Sequence, residues 1–448
     1  MDQLRTATSA VFGLDPAWVA MAIFVLTYVL VIAERINRSI IALLGGGVMI
    51  ISGLLSQEEA VRGIDFNTIA LLTGMMILVS ISRRCGMFEY LAIWSAKKGR
   101  AQPWAMLAML SLVTAVVSAF LDNVTTVLLI APVTLSITRQ LEVPAYPFLF
   151  AEVFASNIGG TATLIGDPPN IMIGSAADLS FNDFIIHVAP AIAVVMTVQL
   201  VMTHLVWGKR LRATPQARER VLALDERSMI VDPALTRISL AILGAVIAAF
   251  VLARPLHLEP GTIALFGAAV LMLCHNIEHH REIEQQTLKV TATFNDIDWI
   301  TIFFFVGLFV IVHGVDAAGI LDLAARRLLA ATREDPAATT VVILWGSAVI
   351  SAIVDNIPFV AAMIPLIKGM APHLGGADHI TPLWWALSLG ACLGGNGTLI
   401  GASANLAVAG IAERSGIGFS FLTFTKYGLG MMLVSVGISH LYLWLRYL

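Results

Sequence analysis

The stretch SAFLDNVTTVLLIAPV at Ser118–Val133 returns 233 positions later as SAIVDNIPFVAAMIPL at Ser351–Leu366. An Asp-Asn pair therefore interrupts an apolar run twice. Trp104 to Thr138 is apolar except near this pair, and as one helix it would extend roughly 50 Å, well beyond a hydrocarbon core of about 30 Å. Asp122-Asn123 is the natural place to fold it, because both side chains bond nearby backbone and tolerate tight geometry. The spacing predicts a re-entrant helical hairpin over about 104–138 and a second over about 338–370, turning at Asp355-Asn356. Backbone groups at such tips need polar partners at membrane depth.

The rest of the chain suits a membrane. Of 448 residues, 58% are hydrophobic and 13% charged, where soluble domains carry roughly a quarter charged. Spanning candidates are Trp18–Ala33, Ile40–Leu55, Thr68–Ile81, Phe184–Trp207, Ile238–Val251, Thr262–Cys274, Trp299–His313 and Tyr427–Leu445. The first of these lacks the basic start and small-residue cleavage site of a signal peptide and is expected to stay. Cys85, Cys274 and Cys392 lie in or beside apolar segments, which speaks against a disulfide framework.

Two further stretches repeat. IGGTATLIGDPPN at Ile158–Asn170 aligns with LGGNGTLIGASAN at Leu393–Asn405, and the segment from Asp65 aligns with that from Asp298, matching Gly74 to Gly307 and Gly86 to Gly319. One unit of about half the chain was used twice. The domain reading is a first repeat over 1–207, a linker over 208–237 and a second repeat over 238–448. The linker carries seven Lys or Arg, which makes it cytoplasmic under the positive-inside rule. Each half then contributes five crossings and one re-entrant hairpin, and the odd count inverts the second half. Nineteen of the 27 Lys and Arg fall inside in this arrangement, with Arg5, Arg62, Arg254, Arg326, Arg327, Arg333, Lys368 and Arg446 outside. The segments from Gly86 and Gly319 read as amphipathic helices along the interface.

The repeated glycine motif predicts a crossing helix broken in its middle, over about 148–177 and again over 382–412, with half-helix ends and free carbonyls available to ions or polar solutes. In the second copy, which has no proline, the break rests on Gly394, Gly395, Asn396 and Gly397. An ionisable residue inside the membrane costs about 2.5–3.5 kcal/mol on insertion scales and is a functional hypothesis by default. Asp122 and Asp355 are therefore the leading candidates for a proton or cation, with Asn123 and Asn356 beside them; all four are metal ligands only if sodium is the coupling ion. Thr125, Thr126, Gly159, Gly160, Thr161, Thr163, Asp167, Asn170, Gly394, Gly395, Asn396, Thr398 and Asn405 complete the candidate substrate or ion site. Capping of the helix behind each tip is a compatible role for both aspartates. Cys392 reads as a small buried cysteine, and His187 and His313 as structural histidines.

FLDNVTTVLLIAPVT followed by NIGGTATLIGDPPN resembles the arsenite-permease and sodium/proton-antiporter (ArsB/NhaD) branch of the ion transporter superfamily, especially its P-protein relatives. The resemblance spans nearly the whole chain. It implies an elevator-type carrier whose two hairpin tips and two broken helices enclose one site. Sodium-coupled dicarboxylate relatives carry Ser-Asn-Thr at both tips, where this chain has Asp122-Asn123-Val124 and Asp355-Asn356-Ile357. A carboxylate there repels a dianion and supplies a titratable group.

The expectation is an all-α polytopic secondary transporter with no cofactor, not an enzyme, in a bacterial inner membrane. Its first-choice cargo is arsenite or antimonite leaving the cell against protons, since arsenite is mostly neutral As(OH)3 near pH 7. Sodium/proton antiport is the nearest alternative, followed by organic-anion or chloride transport. Intramembrane aspartyl proteolysis is remote, because no Gly-x-Gly-Asp stretch is present. No nucleotide-binding loop occurs, so ATP coupling would need a separate ATPase subunit. The interfacial helices could support a homodimer, and nothing in the sequence points to nucleic acid.

Overall fold

The computed structural model describes residues 14–33, 35–277 and 283–448. Arg5 and Arg281 from the charge count lie outside the described residues. All elements in order are helices. Six are long and apolar enough to cross a membrane by length and composition: Phe66–Arg83, Asn123–Leu141, Ala189–Gly208, Pro233–Val251, Trp299–Ala317 and Phe421–Tyr447. Shorter apolar helices, among them Pro16–Ile32, Arg38–Ile51 and Pro260–Asn276, accompany them.

The first hairpin is Pro103–Ser118 and Asn123–Leu141; the second is Pro336–Ser351 and Asn356–Met370. Each turn ends on its Asp, which caps the returning helix: Asp122 accepts from the Thr125 N–H at 2.9 Å and Asp355 from the Ile357 N–H at 3.1 Å. A carboxylate there satisfies a free N–H and meets the positive end of the helix. Each broken helix follows its hairpin. The first runs Tyr146–Thr161, opens, and resumes at Pro168–Ala177; the second runs Thr381–Gly394 and resumes at Ser403–Arg414.

Helices begin at matching places in the two halves. Phe66 and Trp299, Met87 and Ile320, Pro103 and Pro336, and Asn123 and Asn356 are each 233 positions apart. Yet two of the three most extensively packed helix pairs cross between halves. Phe66–Arg83 lies on Pro260–Asn276, and Trp299–Ala317 lies on Arg38–Ile51. A Cβ on Gly74 would stand 2.5 Å from the Ala264 carbonyl carbon, and one on Gly307 2.4 Å from that of Ala42. Only glycine admits these backbone approaches.

The polar stretch 208–237, read as the linker, is itself structured: it forms the helix Pro215–Leu222 and a short turn at Arg227–Met229, and its end belongs to Pro233–Val251. It straps the base of the first hairpin, with Lys97 bonded to Glu226, the Val231 N–H donating to the Cys85 carbonyl at 3.0 Å, and Arg220 paired with Glu142 at 2.5 Å. The apolar stretch Phe184–Trp207 is two helices, Phe181–His187 and Ala189–Thr203, because Pro190 has no N–H to continue the first.

Candidate functional site

Hairpin and broken helix are joined in the same way in both halves. The Ser118 hydroxyl donates to the Ser156 carbonyl at 2.8 Å, and Ser351 to the Ala391 carbonyl at 2.6 Å. Thr163 bonds the Ala119 carbonyl and Thr398 the Ala352 carbonyl, tying each opened loop to a tip. Asn170 donates to the carbonyls of Thr161 and Thr163 at 3.0 and 2.9 Å; Asn405 does so to Gly395 and Thr398 at 2.8 and 2.9 Å. These side chains satisfy backbone that the broken helix would otherwise leave bare at membrane depth.

The glycines serve close packing. A Cβ on Gly159 would fall 2.1 Å from the Ala115 carbonyl oxygen, and one on Gly394 2.6 Å from that of Ala348. Gly160 and Gly395 face the carbonyls of Gly166 and Gly401 across the opened turn. Thr126 donates to the Asp122 carbonyl of its own helix at 2.9 Å.

The two halves meet in a buried amide cluster. Asn123 of the first tip donates to Asn157 at 3.2 Å, and Asn157 donates to Asn396 and Asn405 of the second broken helix at 2.9 and 3.0 Å. Asn170 accepts from the Ser388 hydroxyl at 2.7 Å and lies 3.6 Å from the Cys392 sulfur. Across the cluster, Asn356 of the second tip reaches both oxygens of Asp167 at 3.4 Å.

A cavity of about 270 Å³ opens beside these groups. Asp122, Asn123, Thr125, Asp167 and Asn356 line its depth; Arg83, Asp296 and Asp298 stand at its exposed mouth. Asp167 is fully buried. Among the described residues neither it nor Asp122 has an ion-pair partner, whereas Asp355 is paired with Arg38 at 3.1 Å. Asp355, Thr126, Thr161, Thr163, Asn170, Asn396, Thr398, Asn405 and the glycines lie outside the lining. No group of three or more His, Cys, Asp or Glu that could hold a metal ion occurs among the described residues.

Several residues at this centre escaped the sequence reading. Asn157 heads the glycine motif, but its repeat partner is Cys392, so symmetry hides it. Arg38 flanks an apolar run and reads as an ordinary loop cation. Glu152, inside FLFAEVFAS, did carry a signal as an ionisable residue in an apolar run. It is fully buried, bonded by the Thr134 hydroxyl, and its second oxygen has no partner. His187 is structural: it stacks on Trp385 with ring centroids 5.3 Å apart and bonds the Tyr447 hydroxyl at 2.5 Å.

The chain belongs to the citrate transporter family (CitMHS), whose profile matches residues 28–390. It is 42% identical over 433 residues to an uncharacterized transporter of Mycobacterium tuberculosis, covering 96% of this chain and 98% of that one. It is 35% identical to the human P protein, covering 95% of this chain and 59% of the P protein. Among solved structures, the YdaH transporter of Alcanivorax borkumensis matches with a TM-score of 0.59 at 13% identity, covering 96% of this chain and 97% of that one. MtrF of Neisseria gonorrhoeae, described as illuminating a class of antimetabolite efflux pumps, matches with a TM-score of 0.50 at 12% identity, covering 96% and 94%. These likenesses carry the fold alone. The chain is thus an integral membrane secondary transporter and not an enzyme. The family match is to the citrate-transporter profile, and the P proteins named by the motif resemblance are among its relatives.

Proposed function

We propose that the protein is a proton-coupled secondary transporter of a small solute, built as two inverted repeats and working by an elevator motion of the hairpins and broken helices. One observation carries this reading: the depth of the cavity between the two tips holds two carboxylates, Asp122 and Asp167, with no ion pair among the described residues. A carboxylate at membrane depth without a counter-ion favours taking up a proton or cation. Asp122 and Asp167 are the coupling pair in this reading. The symmetrical expectation that Asp355 shares the duty with Asp122 gives way, because Arg38 already supplies its positive partner. Asn123, Thr125 and Asn356 bind the cargo, while the amide cluster behind them and the bonds from Thr163 and Thr398 set the geometry.

The lining favours a small neutral hydroxylated solute, arsenite or antimonite, or a cation such as sodium, because a free polycarboxylate would meet Asp122 and Asp167. Carboxylate transport is the second reading. It is favoured by the family's description and by Arg38 at the cavity wall, and it requires the anion to enter with its charge neutralised. The mouth lies by Arg83 and by the Arg84–Asp296 pair, which supports a cytoplasmic opening under the positive-inside rule.

Proteoliposomes with an imposed pH gradient test the reading, using arsenite, sodium and citrate in separate arms. Gradient-driven flux of one solute is expected, with Asp122→Asn and Asp167→Asn each lowering it at least tenfold. Undiminished gradient-driven flux in both variants would falsify the assignment of the coupling pair.

A further inference from the structure

Arg38 is the first residue of the helix Arg38–Ile51, and its guanidinium meets four groups at once. It donates to Asp355 at 3.1 Å, to the Ser403 hydroxyl at 3.1 Å and to the Thr301 hydroxyl at 2.9 Å, and it lies 5.2 Å from the centre of the Phe304 ring. Ser403 also donates to Asp355 at 2.9 Å. Asp355 is the second hairpin tip, and Ser403 begins the second limb of the second broken helix. Thr301 and Phe304 belong to Trp299–Ala317, the helix on which Arg38–Ile51 packs. One side chain therefore ties the second tip and broken helix to a helix pair outside them.

The first half has no equivalent. Asp122 is held by the backbone of its own helix and has no ion pair among the described residues. Arg38 and Ser403 also line two cavities, the central one and a neighbour of about 420 Å³ walled by Arg35, Phe304 and Asp355. The node is part of the wall between them.

We propose that Arg38 is a conformational lock of the transport cycle, a positioning residue that holds the second hairpin in this state. It must release Asp355 and Ser403 before that hairpin can shift against Arg38–Ile51. This rests on the reading that the hairpins move relative to the helix pairs. The planar fork of arginine suits several acceptors at once, whereas a lysine is a point charge. Without the guanidinium, Asp355 is a partly buried carboxylate with no cation, and the locked state loses its advantage.

Spin labels at Leu44→Cys on the locking helix and Val349→Cys on the hairpin, both on exposed positions, report their separation in nanodiscs once Cys274 is replaced by Ser. The parent is expected to give one dominant distance. Arg38→Gln and Asp355→Asn should each raise a second population several-fold, and Arg38→Lys less. The exchanged pair, Arg38→Asp with Asp355→Arg, should restore the parent distribution, which loss of generic stability would not do. Parent distributions in both Arg38→Gln and Asp355→Asn overturn the lock. Where those variants do not fold, Ser403→Ala and Thr301→Val remove single acceptors and should give intermediate populations; unchanged distances in both overturn it equally. Proton-driven flux in the parent with unmoved distances removes the lock alone, whereas shifted distances without such flux remove the proton-coupling reading and leave the lock.

Discussion

At the scale of single residues, Asn157 holds the centre together. Its amide serves Asn123, Asn396 and Asn405, so truncation leaves one polar atom of each of these three buried side chains without its partner. Leaving such groups unpaired costs about 1–3 kcal/mol. Asn157→Ala should lower the melting temperature in detergent and reduce flux at least tenfold, whereas Thr197→Ala, at an exposed position, should do neither. The aspartates and asparagines of the tips stand out in sequence because polar residues interrupt an apolar run. Arg38 does not, since its partners Asp355 and Ser403 are 317 and 365 positions away and nothing local marks it. The motif residues Thr163, Asn170, Thr398 and Asn405 were legible as important, yet in this conformation they brace backbone instead of lining the cavity.

At the scale of elements, two helix pairs turn at Asp122-Asn123 and Asp355-Asn356, and each is followed by a helix that opens and resumes. The crossing of hairpin on broken helix was not legible, because glycine spacing does not say which backbone will approach. Gly394→Ala drives a methyl into the Ala348 carbonyl, 2.6 Å away. Overpacking of this kind costs about 1–3 kcal/mol, so a clear drop in thermal stability is expected. The strap over the first hairpin base makes a prediction in pH. The Lys97 ammonium bonded to Glu226 holds that carboxyl below its usual value of 4.5. A depressed folded value means that the contribution is present above the ordinary carboxylate range and disappears as pH falls through the folded value. Limited proteolysis between 208 and 237 should therefore be slow at pH 7 and faster in acid, and Glu226→Gln should be cut faster already at pH 7.

At the scale of the whole molecule, each half places one glycine-marked helix against a helix of the other: Gly74 against Ala264, and Gly307 against Ala42. Repetition was visible in the sequence, but this exchange between halves was not, since a repeat implies likeness and says nothing about which copy packs on which. Neither half can bury Phe66–Arg83 or Trp299–Ala317 by itself. Residues 1–231 and 232–448, divided before the capping Asp232 of Pro233–Val251, should restore flux together when made as separate chains and give none singly; flux from one fragment alone would sink this account.

The same exchange bears on biosynthesis. The helix Arg38–Ile51 leaves the ribosome more than 200 residues before its partner Trp299–Ala317, so for much of translation its small-residue face has only lipid to lie against. The nascent chain thus waits in the bilayer with Arg38–Ile51 and Phe66–Arg83 still lacking their main partners. A membrane chaperone or quality-control protease would find its longest opportunity there, before the second half emerges.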